Sequence, residues 1–268
     1  MSNNKLINII SNKNYESRET KNKLIYKLRK NGFDTSERYD KDAILNICIG
    51  GDGAFLRAVH RNAFPIIPFV GINTGHLGFF QELQPSEIDE FISMYLAKAY
   101  IVEEICMVDA KVCTKEKCYY LTGINEIAVK GVKSKVIHIE MYIDNNHLQR
   151  FSGDGLIVST PSGSTAYNFS AGGSIVYPSI SSLQITPLAP INSSAYRSLP
   201  NSIIVSGEST IKIRPELKYE NSILVVNDGM EFKYDNIEEV QMTMSDKHVN
   251  RLTFSKDSYW NNLKSKFL

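Results

Sequence analysis

Four stretches of this chain carry residue types that chemistry needs. In "ICIGGDGAF", Gly50-Gly51-Asp52-Gly53 follows an apolar run and leads at once into helix-patterned sequence. A strand that ends in glycines lets an anion approach the backbone, and the helix behind it offers unpaired N–H groups and a partial positive charge. A phosphate chain is therefore the natural guest of Gly50, Gly51 and Gly53. Asp52 is out of place beside phosphate unless it works, either on a metal that accompanies the phosphates or as acceptor of a proton from an attacking hydroxyl. An Asp-Gly hairpin is the competing explanation, but it needs a strand after it, and "AFLRAVHRN" makes a poor one. The loop is neither a Walker P-loop nor a G-x-G-x-x-G fingerprint, so alone it names no reaction.

The densest polar stretch is "SGDGLIVSTPSGSTAYNFSAGGS", Ser152 to Ser174, in which ten hydroxyl or amide side chains are interleaved with five glycines. That mixture suits a polyhydroxyl ligand, because small residues admit it and hydroxyls and amides bond sugar and base edges. "LIV" and "AYNF" read as buried, which sets the stretch apart from a Ser/Gly linker. A third loop, "GINTGHLGFF" (Gly71–Phe80), also follows a strand. Its Phe79 and Phe80 wall a pocket or fill a core. His76 reads as a structural loop histidine, since nothing near it in sequence would orient it. In "GINEIAVK" the polar pair Asn125-Glu126 interrupts a strand-like run and either faces solvent or lines a pocket.

The elements that must position these residues come in two kinds. Through about Tyr100, strand and helix patterns alternate: "KLINII", then Leu24, Ile25 and Leu28 at helical spacing with Gly32 as a C-terminal cap, then "AILNICI", a helix carrying Phe55, Leu56 and Val59, and "PIIPFVGIN" as a strand. Such alternation implies a parallel sheet covered on both faces. Beyond Tyr100 the runs are β-like: 136–144, 209–215, 222–228, 230–234 and 239–245, with Asn145-Asn146 and Asp228-Gly229 as turns. The last residues place Tyr259, Trp260, Leu263 and Phe267 at helical spacing, to pack back on the core.

With 268 residues, 43% hydrophobic and 22% charged, the chain can bury a core without staples, and its net charge of +1 gives no general attraction to nucleic acid. No apolar run reaches the roughly 18 residues of a membrane span. The start is too short and polar for a secretory signal, so a cytoplasmic chain is expected. Cys48 reads as a buried small hydrophobe. Cys113 and Cys118 flank "TKEK" and could meet across a hairpin, but no second ligand pair stands near, and neither a zinc nor a disulfide role is expected.

Taken in order, the motifs resemble the NAD kinase family: G-G-D-G at Gly50–Gly53, N-x-G-x-L-G-F at Asn73–Phe79, N-E at Asn125-Glu126, and the D-G-L-I-V-S-T-P block at Asp154–Tyr167 with A-G-G at Ala171–Gly173. The resemblance implies a Rossmann-like α/β domain over 1–100, a β-sandwich-like domain over 101–254, a segment 255–268 returning to the first, and an active site between the domains. It implies transfer of the ATP γ-phosphoryl group to the 2′-hydroxyl of the adenosine ribose of NAD, with a divalent metal, usually magnesium, and a homo-oligomer, commonly a tetramer. Asp52 matches the catalytic aspartate. Gly53, Phe79, Asn125, Glu126, Asp154, Ser162, Thr165, Ala166, Tyr167, Asn168, Ser170 and Ala189 match dinucleotide positions. Ala54 stands where the family usually has Thr, so one hydroxyl that would cap the helix or touch phosphate is missing. Asp228-Gly229 matches a further acidic-Gly position, and a plain hairpin turn explains it as well. Two rivals remain: a lipid or sugar kinase with the same loop, disfavoured by the polar Ser159–Ser170 stretch, and a dinucleotide sensor, which would have no need of Asp52.

Overall fold

A computed structural model of the chain describes residues 5–75, 78–194, 197–216, 223–255 and 257–268. His76 and Leu77 of the third loop, and Ser222 of one expected strand, lie outside the described residues. The chain divides into two compact units, Met1–Glu104 with His248–Leu268, and Ile105–Lys247.

The first unit contains β1 (Leu6–Ser11), α1 (Tyr15–Lys30), β2 (Asp34–Ser36), β3 (Leu45–Gly50), α2 (Asp52–Arg61), β4 (Phe69–Asn73) and α3 (Ile88–Leu96). Strands β2, β1, β3 and β4 pair in that order, all parallel. Every residue of β3 and β4 is buried, as expected of parallel strands covered on both faces. Asn14 caps α1 by accepting the Ser17 N–H, and Gly32 ends it at φ +80°. Leu24 and Leu28 of α1 join Ile7, Leu45, Ile47, Ile49, Val70 and Phe91 in one core. The strand expected over Pro65–Asn73 begins only at Phe69. Pro65 and Pro68 lack the N–H that a ladder needs.

The second unit is built from β5 (Ile101–Thr114), β6 (Cys118–Gly123), β7 (Glu126–Gly131), β8 (Ile137–Ile143), β9 (Asn146–Gly153), β10 (Gly155–Ser159), the short α4 (Tyr167–Ser170), β11 (Ser182–Leu188), β12 (Ile203–Ser206), β13 (Ile211–Pro215), β14 (Ile223–Asn227), β15 (Met230–Phe232) and β16 (Ile237–Thr253). The chain passes between units within β5 and again within β16, and ends in α5 (Ser258–Phe267) of the first unit. One antiparallel sheet runs β12-β11-β10-β7-β14-β15, and β16, β13, β8 and β9 follow one another in a second. Ile137, Ile139 and Met141 of β8 and Ile211 and Ile213 of β13 meet Ile127, Val129, Leu156, Val158 and Val225 of the first sheet in a shared core. That is the sandwich layout, with inward residues alternating along each strand.

Two tight turns are made by residues with positive φ, Asp144-Asn145 at +50° and +66° and Asp228-Gly229 at +45° and +82°. Both fit the primed hairpin turns that match strand twist. The turn expected at Asn145-Asn146 falls one residue earlier, because Asn146 already pairs with Ile143 as the first residue of β9, and the expectation for the cysteines is overturned. Cys113 and Cys118 stand directly opposite in the β5–β6 register, with Cα atoms 4.0 Å apart, and form a disulfide. The hairpin register alone brings the thiols together, so no further ligand pair was required.

Candidate functional site

In the first unit the site begins where β3 ends. Gly51 is the N-cap of α2 and Asp52 its first residue. The Asp52 carboxylate accepts two backbone bonds from the third loop, from Phe79 N–H at Oδ2 and from Phe80 N–H at Oδ1, both 2.9 Å. A side chain at Gly78 could not coexist with this seat, because its Cβ would lie 2.1 Å from Asp52 Oδ1. Gln81 completes the clamp by donating to Gly51 C=O at 3.0 Å. Phe80 is buried and stacks on Phe55 at 4.7 Å, so it belongs to the core. Phe79 is half-buried, with the rings of Tyr259 and Phe267 of α5 at 5.8 and 6.0 Å and Lys266 over its face. Ala54 is buried against Gly50 and its N–H bonds Gly51 C=O.

In the second unit the Asn125-Glu126 pair sits at the head of β7, and both residues are buried. Thr160 ties the polar stretch to it: its N–H donates to Asn125 C=O at 2.9 Å and its Oγ1 to Ile124 C=O at 2.7 Å. The approach is so close that a Cβ on Gly163 would fall 1.9 Å from the Asn125 carbonyl oxygen. Asp228 holds the pair from the other side. Its carboxylate accepts the backbone N–H groups of Ile124, Asn125 and Glu126 at 2.7, 2.7 and 3.2 Å.

This arrangement leaves atoms unused. Asn125 Oδ1, Glu126 Oε2 and Asn227 Oδ1 are buried and make no hydrogen bond. Buried polar atoms are nearly always bonded, so these three are open to a ligand or to water. Burial first, and then the neighbouring Asp228 carboxylate, pushes the Glu126 carboxyl up to about 8.

The remaining expected residues fall into two groups. Ser162 and Ala166 are partly exposed and Thr165 is buried, all beside the Asn125-Glu126 pair through the turn that Thr160 anchors. Asp154 is exposed between β9 and β10, and Ala189, at φ +42°, lies beside it, since a Cβ on Gly153 would meet the Ala189 carbonyl at 2.8 Å. Tyr167 is 37% exposed with the Lys130 ammonium over its ring at 5.5 Å, and Ser170 is exposed. The expectation that "AYNF" is buried fails for Tyr167 and Phe169 and holds for Asn168. Of the four side chains of the short α4, only Asn168 turns inward. Asn168 has both amide ends bonded inside the unit, to Gln184 Oε1 at 3.1 Å and from Thr186 Oγ1 at 2.6 Å. Its place is to hold α4 under Tyr167. Asp228 joins the Asn125-Glu126 pair, where the sequence offered a plain hairpin turn as an equal explanation. The Asp-Gly turn was legible, but its reach to three N–H groups about a hundred residues earlier was not. Among the described residues no group of three or more His, Cys, Asp or Glu side chains is placed to hold a metal ion.

Comparison with known proteins agrees with this layout. Residues 5–100 match the ATP-NAD kinase N-terminal domain and residues 124–253 the ATP-NAD kinase C-terminal domain. A NAD kinase of Finegoldia magna is 50% identical over 270 residues, 99% of each chain. A NAD kinase of Streptococcus gordonii is 34% identical over 98% of this chain and 96% of its own. In fold, yeast NADH kinase complexed with NADH matches 98% of this chain and 87% of its own, with a TM-score of 0.85 at 18% identity. An Archaeoglobus fulgidus NAD kinase in complex with ATP matches 97% and 99%, with a TM-score of 0.77 at 23% identity. Family domains on both halves, and a relative sharing half of its residues from end to end, place this chain in the ATP-NAD kinase family.

Proposed function

We propose that the protein transfers the γ-phosphoryl group of ATP to the 2′-hydroxyl of the adenosine ribose of NAD, forming NADP. The observation that carries this reading is the seat of Asp52. A carboxylate fixed by two backbone N–H groups at the head of a glycine-lined helix is placed for work on a hydroxyl beside phosphates. A sensor that only held the dinucleotide would have no use for it.

In this mechanism the glycines Gly50, Gly51 and Gly53 admit phosphate to the head of α2. Asp52 keeps lone pairs beyond its two N–H bonds, and one accepts the 2′-hydroxyl proton as the oxygen attacks the γ-phosphorus and the bond to the β-phosphate oxygen breaks, releasing ADP. Such bases contribute about 10²–10⁴-fold. Asn125 and Glu126 bind the adenosine end through Asn125 Oδ1 and Glu126 Oε2. Glu126, with its carboxyl raised to about 8, is mostly protonated at neutral pH and can donate as well as accept. Tyr167, with Ser162, Thr165, Ala166 and Ser170, frames the rest of the dinucleotide, and Asp154 and Ala189 meet its nicotinamide end. Phe79 contributes a wall, while Asn168 acts through α4. Magnesium would arrive on the ATP phosphates and would neutralise charge on the transferred group.

A cytoplasmic homotetramer, with residues 1–100 and 255–268 forming the phosphate-binding domain and 101–254 the dinucleotide domain, completes the proposal. No helix among the described residues is long and apolar enough to cross a membrane. The test is incubation with ATP, magnesium and NAD followed by detection of NADP. NADP above a protein-free blank is expected. A blank-level result with NAD binding intact would leave a sensor.

A further inference from the structure

The clamp on Asp52 continues past the two N–H groups that make it. Phe80 N–H, which donates to Asp52 Oδ1 at 2.9 Å, shares one planar peptide group with the Phe79 carbonyl. That carbonyl accepts a hydrogen bond from Arg251 Nη1. The same guanidinium turns its other edge to Glu103, with Nε donating to Oε2 at 3.1 Å and Nη2 donating to the same oxygen. An unbroken run therefore leads from the Glu103 carboxylate, through the Arg251 guanidinium and one peptide group, to the Asp52 carboxylate. All of it lies in the first unit.

The elements bring these residues together. Glu103 stands near the start of β5 and Arg251 near the end of β16, and the two strands pair. Arg251 is opposite Phe69 in register, at the start of the strand from which the third loop departs. Just beyond it, Thr253 Oγ1 and Phe254 N–H donate to Glu82 Oε1 at 2.9 and 3.1 Å, so the end of β16 also holds the chain that follows Phe80.

Stability alone is a poor reason for a guanidinium at this place. Arg251 is 9% exposed, and replacing a buried ion pair by apolar residues is often neutral or stabilising. What a buried cation does supply is direction and polarity. Hydrogen bonds to charged groups are the strong ones, and bonds in a chain polarise one another, by about 10–30% each. A guanidinium on the Phe79 oxygen thus makes the N–H at the other end of that peptide group a better donor, and that N–H is the one on Asp52.

We propose that Arg251, oriented by Glu103, is a positioning residue for phosphoryl transfer: it fixes and polarises the Phe79–Phe80 peptide group, which in turn holds the Asp52 carboxylate toward the attacking hydroxyl. The role rests on the kinase reading, while the clamp itself can be measured without turnover.

The test uses the full-length protein. In Arg251→Met, kcat for NADP formation falls about tenfold or more, with NAD affinity by direct titration within about twofold. Hydrogen exchange followed by NMR shows protection of the Phe80 amide falling about tenfold, while the Ile47 and Ile49 amides of β3 stay within about twofold. Arg251→Lys keeps a cation without the fork and recovers part of both losses. Glu103→Gln leaves Arg251 in place and neutralises its anchor. There kcat falls about threefold, and this variant decides the question should Arg251→Met not fold. Arg214→Gln, which removes an exposed ion pair with Glu239 in the second unit, changes nothing. Turnover within about twofold of the unaltered protein in folded Arg251→Met, or in Glu103→Gln where that variant decides, overturns the proposal. So does protection lost equally at Phe80 and across β3, which makes Arg251 a structural residue only. If the unaltered protein forms no NADP while Phe80 protection still depends on Arg251, the kinase reading fails and the clamp stands. If NADP forms and Phe80 protection ignores Arg251, the reverse holds.

Discussion

Asp52 in the first unit and Glu126 in the second are carboxyl groups held in opposite ways. Asp52 has each oxygen bonded to a backbone N–H of the loop that crosses it, and Gly78 is there to make room. Glu126 is more deeply buried, leaves Oε2 without a partner, and sits beside Asp228, whose own carboxylate already takes three N–H groups. One group is positioned before any ligand arrives. The other carries an unmet demand that a ligand would satisfy. The first arrangement suits a residue that must hold its geometry during a reaction, and the second suits recognition, where a bond made on binding offsets the desolvation already incurred.

The sharpest way to break this contrast is Asp52→Asn. Turnover should fall by about 10²–10⁴-fold with NAD affinity nearly unchanged. Steady-state kinetics beside direct NAD binding would show it, and unchanged turnover would remove Asp52 from the chemistry. Next in size is Gly163→Ala. Its methyl group would collide with the Asn125 carbonyl, costing about 3 kcal/mol of stability and displacing the recognition pair. Denaturant unfolding and NAD titration should both register it, while AMP-PNP binding stays as it was. If NAD affinity is retained, the close approach of the two motifs does not matter for binding.

Glu126→Gln tests the other side of the contrast and has the opposite sign. Because the folded state raises this carboxyl from 4.5 to about 8, the folded protein holds the extra proton between those values. Stability therefore falls as pH rises across that window, and the full cost is present above pH 8. The glutamine variant should be more stable than the parent at pH 9, by up to about 5 kcal/mol, with the difference gone below about pH 4.5. Thermal unfolding at the two extremes measures this. NAD affinity should nevertheless drop, since an amide cannot replace every bond a carboxyl makes. The smallest expected effect is Lys130→Met, which removes the ammonium above Tyr167 and should change NAD affinity by about two- to threefold through a contact worth roughly 0.5 kcal/mol. Loss of all binding would mean that Lys130 touches the ligand itself.

Much of each unit's candidate site was legible in residue types. Gly-Gly-Asp-Gly at a strand end announced an anion loop, and the glycines and hydroxyls of Ser152–Ser174 announced a polar ligand, because backbone freedom and hydrogen-bonding inventory are properties of the residues themselves. The alternation of strand and helix to about Tyr100, followed by β-runs, likewise conveyed the two-part layout, since hydrophobic period follows local geometry. Strands that break the pattern were harder. Pro65 and Pro68 shorten β4, and in α4 a single turn sends Tyr167 outward and Asn168 inward.

What the sequence alone determined is the chemical vocabulary: which loops carry the glycines and helix head that suit phosphate, which carboxyl stands among them, and which side chains carry the hydroxyls and amides that suit a sugar. What only the tertiary structure decided is pairing across distance. Phe79 and Phe80 N–H meet Asp52, Asp228 gathers Ile124 to Glu126, Cys113 faces Cys118, and scattered cations of α1, α2 and the neighbouring loops share one groove. These contacts depend on sheet register and on backbones approaching closely at glycines, and no local pattern records them, because a residue's type carries no information about which distant backbone the fold will bring to it.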